Sequence, residues 1–202
     1  GVGIAERAYQ GALAYALDRR QGRSVWTGEA SSPIFDHPDV RRSLAVMKAK
    51  ISAARAICLL TGVAADMAEH AADETDRRRW KAREDLFTPI AKAWSTDVGV
   101  EVASAGLQVH GGMGFIEETG AAQHYRDARI APIYEGTNGI QAMDLVGRKL
   151  LRLQGAGLRV FGGMLEAGRI GSATNNLGFM YELDAIAACV VGGVSFAGGV
   201  GT

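Results

Sequence analysis

A stripe of apolar side chains at helical spacing follows Pro38 for roughly thirty residues, and no other feature of the sequence restricts the possible folds as strongly. Its members are Val40, Leu44, Met47, Ile51, Ala54, Cys58, Ala65 and Ala68. A helix of that length spans about 45 Å at 1.5 Å per residue, and Pro38 suits its first turn because the missing N–H would be unpaired there anyway. An apolar face of this length needs neighbouring helices to cover it, which predicts a helical bundle.

The same periodicity predicts the other helices. The first carries Ile4, Ala8, Ala12 and Tyr15. The third, from about residue 85 to 105, carries Leu86, Ile90, Trp94, Val98 and Val102. A short polar helix over residues 120–127 and a last helix through Ile140, Met143 and Leu150 follow. Because strand-like alternation is scarce and the connections are short, the expected fold class is all-α, an up-and-down helical bundle over residues 1–152.

Two other stretches interrupt this pattern. Residues 73–83 concentrate charge of both signs, so we expect a solvated turn between the second and third helices. Beyond Arg152 the chain becomes Gly-rich, lacks lysine and carries no charge after Asp184. The apolar run over residues 185–200 contains paired glycines and is short for a bilayer. Residues 153–202 are therefore expected to form a helical C-terminal extension, without a membrane span, that packs on the bundle or on a partner.

The charge balance restricts the partners. Lys plus Arg and Asp plus Glu number 22 each, so the formal net charge is zero. Nucleic acid and anionic membrane surfaces both favour a basic excess, and neither is expected as a partner. Cys58 and Cys189 lie far apart among apolar neighbours, which indicates buried, reduced thiols and a cytoplasmic location. The four histidines have no metal-ligand spacing, so no metal site is predicted.

A glycine-rich loop follows the third predicted helix at residues 108–115. Gly111, Gly112 and Gly114 allow positive φ and a close approach of the backbone to a ligand, which suits contact with a phosphate or an adenine. The alternative is a purely structural role, because glycine-rich loops commonly end helices.

Glu135 lies between Tyr134 and Gly136, just before the last predicted helix. Apolar surroundings disfavour a charged carboxylate and make it a better proton acceptor, so Glu135 is a candidate general base. The alternative is that Glu135 only interacts favourably with the dipole of the helix that follows.

Two arginine-containing runs also stand out. The run over residues 19–23 ends the first helix, where Arg19 either compensates the helix dipole or grips a pyrophosphate with its guanidinium. The run over residues 125–129 is interpreted as a charged helix end with a local ion pair.

Together these segments resemble, in order and spacing, the C-terminal domain of the acyl-CoA dehydrogenase family. The resemblance covers about residues 1–151, and its most specific parts are residues 108–115, 126–129, 134–137 and 140–141. Residues 34–42 and 118–123 look most like the bacterial branch that acts on 3-methylmercaptopropionyl-CoA and related acyl-CoAs.

The resemblance implies an FAD-dependent oxidation of an acyl-CoA thioester to the trans-2-enoyl-CoA. Glu135 would remove the pro-R α-proton while the β-hydride passes to the flavin N5, and Gly136 would lie against the thioester. The residues that the resemblance places at FAD are Arg19, His37, Gln108, Gly111, Gly112, Thr137, Asn138 and Gly139. In the family, the residue at the position of Arg19 reaches the pyrophosphate from the neighbouring subunit.

The resemblance also implies a homo-oligomer, a dimer or a tetramer, and an electron-transfer protein as acceptor. A complete family member has an N-terminal helical domain and a middle β-domain, and neither is in this sequence. Two alternatives stay open. An acyl-CoA oxidase would use the same base and flavin, and the chain by itself would be a catalytically silent bundle that serves only oligomerisation.

Overall fold

The structure, a computed structural model, describes residues 1–150 and is built of helices. They are α1 (Val2–Asp18), α2 (Pro38–His70), α3 (Glu74–His110), α4 (Gly112–Phe115), α5 (Ala121–Ile130) and α6 (Asn138–Asp144). A π-helical turn over Leu145–Leu150 continues α6, and 3-10 turns occupy Ile34–Asp36 and Glu117–Thr119. Within these 150 residues, β-structure is limited to one isolated bridge between Arg20 and Pro33. The prediction of an all-α fold is confirmed.

The chain divides into two compact units, and the first comprises residues 1–63 and 87–142. Its core lies where α1, α2 and α3 meet. The buried apolar residues there are Ala5, Ala12, Ala16, Leu44, Met47, Ile51, Ala54, Val98, Val102 and Val109. A smaller cluster of Ala8, Ala103 and Ala128 joins α5 to α1 and α3. Most of the predicted apolar positions of α1 and α2 in this unit face the core, because the 3.6-residue period places them on one side of each helix.

Contacts across this unit define the helix directions. Lys50 on α2 pairs with Glu101 on α3, and Ser95 Oγ donates to Ala54 O at 3.5 Å, so the two helices run antiparallel. Helix α1 runs parallel to α3, and the two approach closely at Gly106, where an added Cβ would lie 3.2 Å from Ala8 O. This alternation of directions confirms the up-and-down bundle.

The second unit contains residues 64–86 and, of residues 143–202, the described residues 143–150. The prediction of a solvated turn over residues 73–83 is wrong, because α3 already begins at Glu74. Glu74 lies one helical turn before Arg77 and Arg78 and pairs with both, at 2.8 and 3.0 Å. These pairs between residues three and four apart stabilise a helix that has little apolar surface.

The turn between α2 and α3 is correspondingly shorter than expected. It occupies residues 71–73, where Asp73 Oδ1 accepts a hydrogen bond from Thr75 N at 2.7 Å and so caps α3. Arg77 Nη1 reaches back to Ala71 O at 2.6 Å, which satisfies a carbonyl that the end of α2 leaves unpaired.

Two further sequence predictions are wrong. Cys58 is exposed rather than buried; its thiol lies 3.5 Å from Ser95 Oγ at the edge of the α2–α3 contact. Trp94, predicted on the apolar face of α3, is 40% exposed because Ala91, Ser95 and Val98 form the buried side of the helix at this level. Cys189 and the predicted domain boundary at Arg152 lie outside the described residues.

Helix α2 is also, among the described residues, the one helix long and apolar enough to cross a membrane by length and composition alone. Core helices of soluble proteins, which are mostly buried, satisfy the same criterion; of the apolar stretch of α2, 17% is buried, and one face of the helix supplies Leu44, Met47 and Ile51 to the core.

Candidate functional site

Glu135 lies in the connection between α5 and α6, and its backbone conformation is unusual. Its φ is +56°, and it is the one non-glycine residue of the described chain with a positive φ; Gly136 follows with φ +86°. A left-handed conformation at a residue with a Cβ costs on the order of 1–3 kcal/mol, persists only where the surroundings enforce it, and is concentrated at functional sites. The strain indicates that the position of this carboxylate matters.

The carboxylate itself is not enclosed by this chain. Glu135 is exposed, and its apolar neighbours Ile133 and Tyr134 are each 50% exposed. The prediction that adjacent apolar side chains desolvate Glu135 is therefore wrong for the described residues. They fix where Glu135 sits, but they do not exclude water from it.

The loop around Glu135 is anchored to α3 through Asn138. The Asn138 side chain donates to Ala93 O at 3.0 Å and to Asp97 Oδ1 at 2.8 Å. Thr96 lies within 3.2 Å of the same amide. On the other side, Lys92 Nζ donates to Gly136 O at 2.7 Å and to Asn138 Oδ1 at 3.3 Å. Helix α3 thus holds the peptide that directly follows the candidate base.

Three of the predicted cofactor-binding residues lie in this segment. Thr137 and Gly139 are exposed, and Thr137 Oγ1 accepts from Ile140 N at 3.4 Å where α6 begins. The Asn138 side chain is directed to α3 instead of outward, so the structure gives it a role in holding the loop. Contact of these three residues with FAD stays a prediction.

A cleft of about 410 Å³ brings together other predicted cofactor residues. Its walls, among the described residues, are formed by Tyr15, Arg19, Gln21, Ile34, Val109, His110, Gly111, Gly112 and Met113. Arg19 and Gln21 come from the segment after α1, whereas Gly111 and Gly112 come from the turn that ends α3. Residues 135–139 are not part of this lining, so the chain presents the cleft and the Glu135 loop as distinct surfaces.

The groups in the cleft suit an anion. Arg19 supplies an exposed guanidinium, whose nearest recorded partner is Gln21 Oε1 at 3.4 Å. Gly111 has φ +61°, and a Cβ added at Gly111 or Gly112 would meet no atom within 4 Å, so the glycine backbone faces open space. A cation opposite an accessible backbone turn is the donor set expected for a phosphate group.

His37 and Gln108 lie beside the cleft instead of lining it. His37 Nε2 lies 2.7 Å from Gln21 O, so the ring supports the loop that carries Gln21. Gln108 is exposed in the last turn of α3, and its carbonyl accepts from Gly111 N at 3.0 Å. Their contact with FAD stays a prediction as well.

The arginine run at the end of α5 has the structural role that we expected. Arg126 forms two hydrogen bonds with the Glu117 carboxylate, at 3.0 and 2.7 Å. These bonds, and the charge of the guanidinium, lower the pKa of Glu117 below its ordinary value of 4.5. The pair joins the 3-10 turn Glu117–Thr119, which follows the glycine-rich segment, to α5.

Comparison with known proteins decides the family. The model of the acyl-CoA dehydrogenase C-terminal domain matches residues 1–151. The chain belongs to the acyl-CoA dehydrogenase family. It is 53% identical over 168 residues to the 3-methylmercaptopropionyl-CoA dehydrogenase of Ruegeria pomeroyi, covering 83% of this chain and 28% of that protein. The solved structure of butyryl-CoA dehydrogenase from Megasphaera elsdenii is similar with a TM-score of 0.54 and 30% identity, over 74% of this chain and 33% of that one.

A second match is to an unrelated kind of protein. Over 42 residues, 21% of the chain, the sequence is 98% identical to the galactose/methyl galactoside import permease protein MglC of Escherichia coli, of which it covers 12%. The dehydrogenase family model ends at residue 151, close to the change in composition after Arg152.

Acyl-CoA dehydrogenases are FAD-dependent, so FAD is the cofactor of the family to which this chain belongs. The described residues fit part of that cofactor. Arg19 and the Gly111–Gly112 turn match the charge and the space that a pyrophosphate requires, and Thr137 and Gly139 present exposed polar and backbone groups near Glu135. This acyl-CoA dehydrogenase domain therefore offers one wall of a cofactor site.

A charge reversal at Arg19 tests its role in cofactor binding. In the complete acyl-CoA dehydrogenase carrying this domain, Arg19→Glu is expected to weaken FAD retention at least about tenfold, because an anion then faces the pyrophosphate. Flavin content after gel filtration measures this, and the helical circular dichroism signal should be unchanged. Arg23→Glu is the matched control, since Arg23 bonds to Gly28 O outside the cleft lining. Equal flavin content in both variants would favour helix-dipole compensation.

Proposed function

We propose that this chain is the C-terminal part of a flavoenzyme that oxidises an acyl-CoA thioester to the trans-2-enoyl-CoA, with Glu135 as the base. The main support for this proposal is the strained backbone of Glu135, which lies in a loop that α3 holds in place. A carboxylate kept at a defined position, in a domain of this family, is suited to removing a proton at one carbon of a bound substrate.

Different residues of this chain would serve proton removal and cofactor binding. Glu135 would accept the α-proton of the thioester on a carboxylate oxygen, and Gly136 would lie against the thioester. Thr137 and Gly139 would contact the FAD beside Glu135, whereas Arg19, Gly111 and Gly112, which line a distinct surface, would hold a pyrophosphate, in the case of Arg19 that of the neighbouring subunit's FAD. FAD, when bound, supplies the acceptor for the β-hydride. The removal of water from Glu135 would come from parts of the enzyme outside the described residues, since these leave it exposed.

The substrate class follows from the relatives. The 53% identical relative is named for 3-methylmercaptopropionyl-CoA, and we propose that thioester, or an acyl-CoA of similar length, as the substrate. We further propose a homo-oligomeric, cytoplasmic enzyme that passes its electrons to an electron-transfer protein. An acyl-CoA oxidase is the alternative, and it differs in the reaction of the reduced flavin with oxygen.

A substrate panel tests the proposed function. Acyl-CoA thioesters of increasing chain length, with and without a thioether, would be offered to the complete enzyme with an artificial electron acceptor. We expect acceptor reduction with short thioesters, and little hydrogen peroxide when oxygen is the only acceptor. Hydrogen peroxide at the full turnover rate would favour the oxidase, whereas flavin that no acyl-CoA bleaches without oxygen would contradict both.

We also propose that the 42-residue stretch matching the permease lies at the end of this chain and is foreign to the dehydrogenase domain. The permease match is nearly identical over 42 residues, while the dehydrogenase match is at 53%, and the family model stops at residue 151. A permease segment would account for the Gly-rich, uncharged end of the sequence. In that case these 42 residues contribute nothing to the chemistry of the dehydrogenase.

A further inference from the structure

Lys92 is the residue of α3 that contacts the Glu135 loop on both sides of the candidate base. Its Nζ donates to Gly136 O at 2.7 Å, one residue after Glu135. The same ammonium lies 5.9 Å from the centre of the Tyr134 ring, one residue before Glu135. Lys92 is half-buried, so its stem packs within the fold and its charged end is directed at this loop.

The hydrogen bond from Lys92 to Gly136 supports the strained backbone turn that contains Glu135. Two consecutive residues with positive φ turn the chain sharply at Glu135 and Gly136. That turn is favourable only if its polar groups find partners, and the Gly136 carbonyl has Lys92 as its donor. A charge-assisted hydrogen bond is roughly twice as strong as a neutral one, so this bond is well suited to hold a strained peptide.

Asn138 completes the support from the other direction. Asn138 N donates to Pro132 O at 3.1 Å, which closes the loop around Glu135. The side-chain oxygen of Asn138 accepts from Lys92 at 3.3 Å. Lys92 therefore bonds to the peptide after the base and to the residue that closes the loop. Among the described residues, no ion pair joins Lys92 to Glu135 itself, and the hydrogen bonds of Lys92 to this loop go to Gly136 and Asn138.

We propose that Lys92 is a positioning residue for Glu135: its ammonium holds the Gly136 peptide and Asn138, and so keeps the carboxylate in the orientation that proton removal requires. This inference rests on the proposed function, because it assigns Lys92 a role in presenting the base. A misplacement of about 1 Å at a reacting group can lower a rate by about 10²-fold, so loss of this support should affect turnover far more than binding.

The first test uses the 202-residue chain and needs no cofactor. Amide hydrogen exchange would be measured at Tyr134 and Asn138, whose N–H groups bond to Ile130 O and Pro132 O. In Lys92→Met, which keeps most of the length of the side chain but removes the ammonium, exchange at these amides should rise at least about tenfold. Exchange in the core of α3, at Val98, should stay unchanged. Lys48→Met is the matched control, because Lys48 contacts Glu6 and Tyr9 on α1.

The second test uses the complete enzyme. We expect Lys92→Met to lower kcat about 10- to 100-fold, with the KM for acyl-CoA and the flavin content within twofold of wild type. Lys92→Arg should restore most of the kcat, because a guanidinium can donate to the same two oxygens. A role limited to packing would not produce this separation of kcat from KM, nor this rescue.

The outcomes separate the inference from the proposed function. If Lys92→Met matches Lys48→Met in loop exchange and in kcat, while Glu135→Gln abolishes turnover, the positioning role is wrong and the function stands. A loosened loop with normal kcat would also overturn it. If Glu135→Gln retains turnover, the proposed base fails whatever Lys92 does. Should Lys92→Met not fold, Lys92→Gln is judged by the same measurements.

Discussion

Replacing Glu135 by glutamine is expected to lower the kcat of the complete enzyme by at least about 10²- to 10⁴-fold, the usual contribution of a general base. Glutamine keeps the size and the hydrogen-bonding capacity of the side chain but cannot accept the α-proton. Because Lys92 and Asn138 hold the loop through groups other than the carboxylate, the substitution should not disturb its backbone. FAD content and acyl-CoA binding should therefore stay near those of the wild type, and steady-state kinetics with a flavin absorbance scan measures both.

Glu118→Gln provides the matched control for this substitution. Glu118 is an exposed glutamate of the same domain, in the 3-10 turn Glu117–Thr119, and it forms no ion pair with the described residues. We expect normal turnover in this variant. Near-normal turnover in Glu135→Gln would show that another group removes the proton.

The second large effect concerns the 202-residue chain by itself, which should be colourless and inactive. Its described residues leave Glu135 exposed and offer the cofactor one wall, whereas a flavin needs both ring faces covered. Each tenfold loss in affinity corresponds to ~1.4 kcal/mol, and losing roughly half of the contacts of a tightly held cofactor would cost several such steps. The chain should also self-associate, because α2 exposes Leu59, Leu60 and Val63 on one stretch of helix.

Sedimentation, an absorbance scan and an activity assay on this chain measure these expectations together. The same measurements on residues 1–151 show whether the last segment matters, and we expect the two chains to behave alike. A colourless helical oligomer would agree with the account. A yellow and active protein would contradict it, and would mean that these residues alone complete the flavin site.

The helices of the bundle could be predicted from the sequence because the buried face of a helix appears as apolar residues at helical spacing. The positions Leu44, Met47 and Ile51 repeat with the period of a helix, and all three are buried in the structure. The helix over residues 74–83 could not be predicted, for the complementary reason. Their helix depends on ion pairs such as Glu74 with Arg78, and a run of mixed charge looks the same in a turn.

The candidate site was only partly predictable. The family resemblance rests on the residue types and their spacing around Glu135 and in the glycine-rich loop. The structure brings Arg19 and Gly111 to one cleft. Neither the positive φ of Glu135 nor the contact of Lys92 with Gly136 has a sequence signal. A single lysine on a helix is ordinarily a solvated charge. Lys92 contacts the Glu135 loop only because α3 packs against that loop. The exposure of Glu135 has no sequence signal either, because apolar neighbours in sequence need not cover a side chain in space.

Proton removal can be measured apart from oxidation, and this tests the central claim most directly. An acyl-CoA with sulfur at its β-position has no β-hydride to transfer, but its α-protons can still be removed and replaced from the solvent. The complete enzyme would be incubated with this thioester in deuterated water, and the loss of the α-proton signal followed by NMR. The account predicts exchange with the wild type and with Glu118→Gln, and exchange slower by at least about 10²-fold with Glu135→Gln. Exchange at the wild-type rate in Glu135→Gln would contradict the assignment of Glu135 as the base.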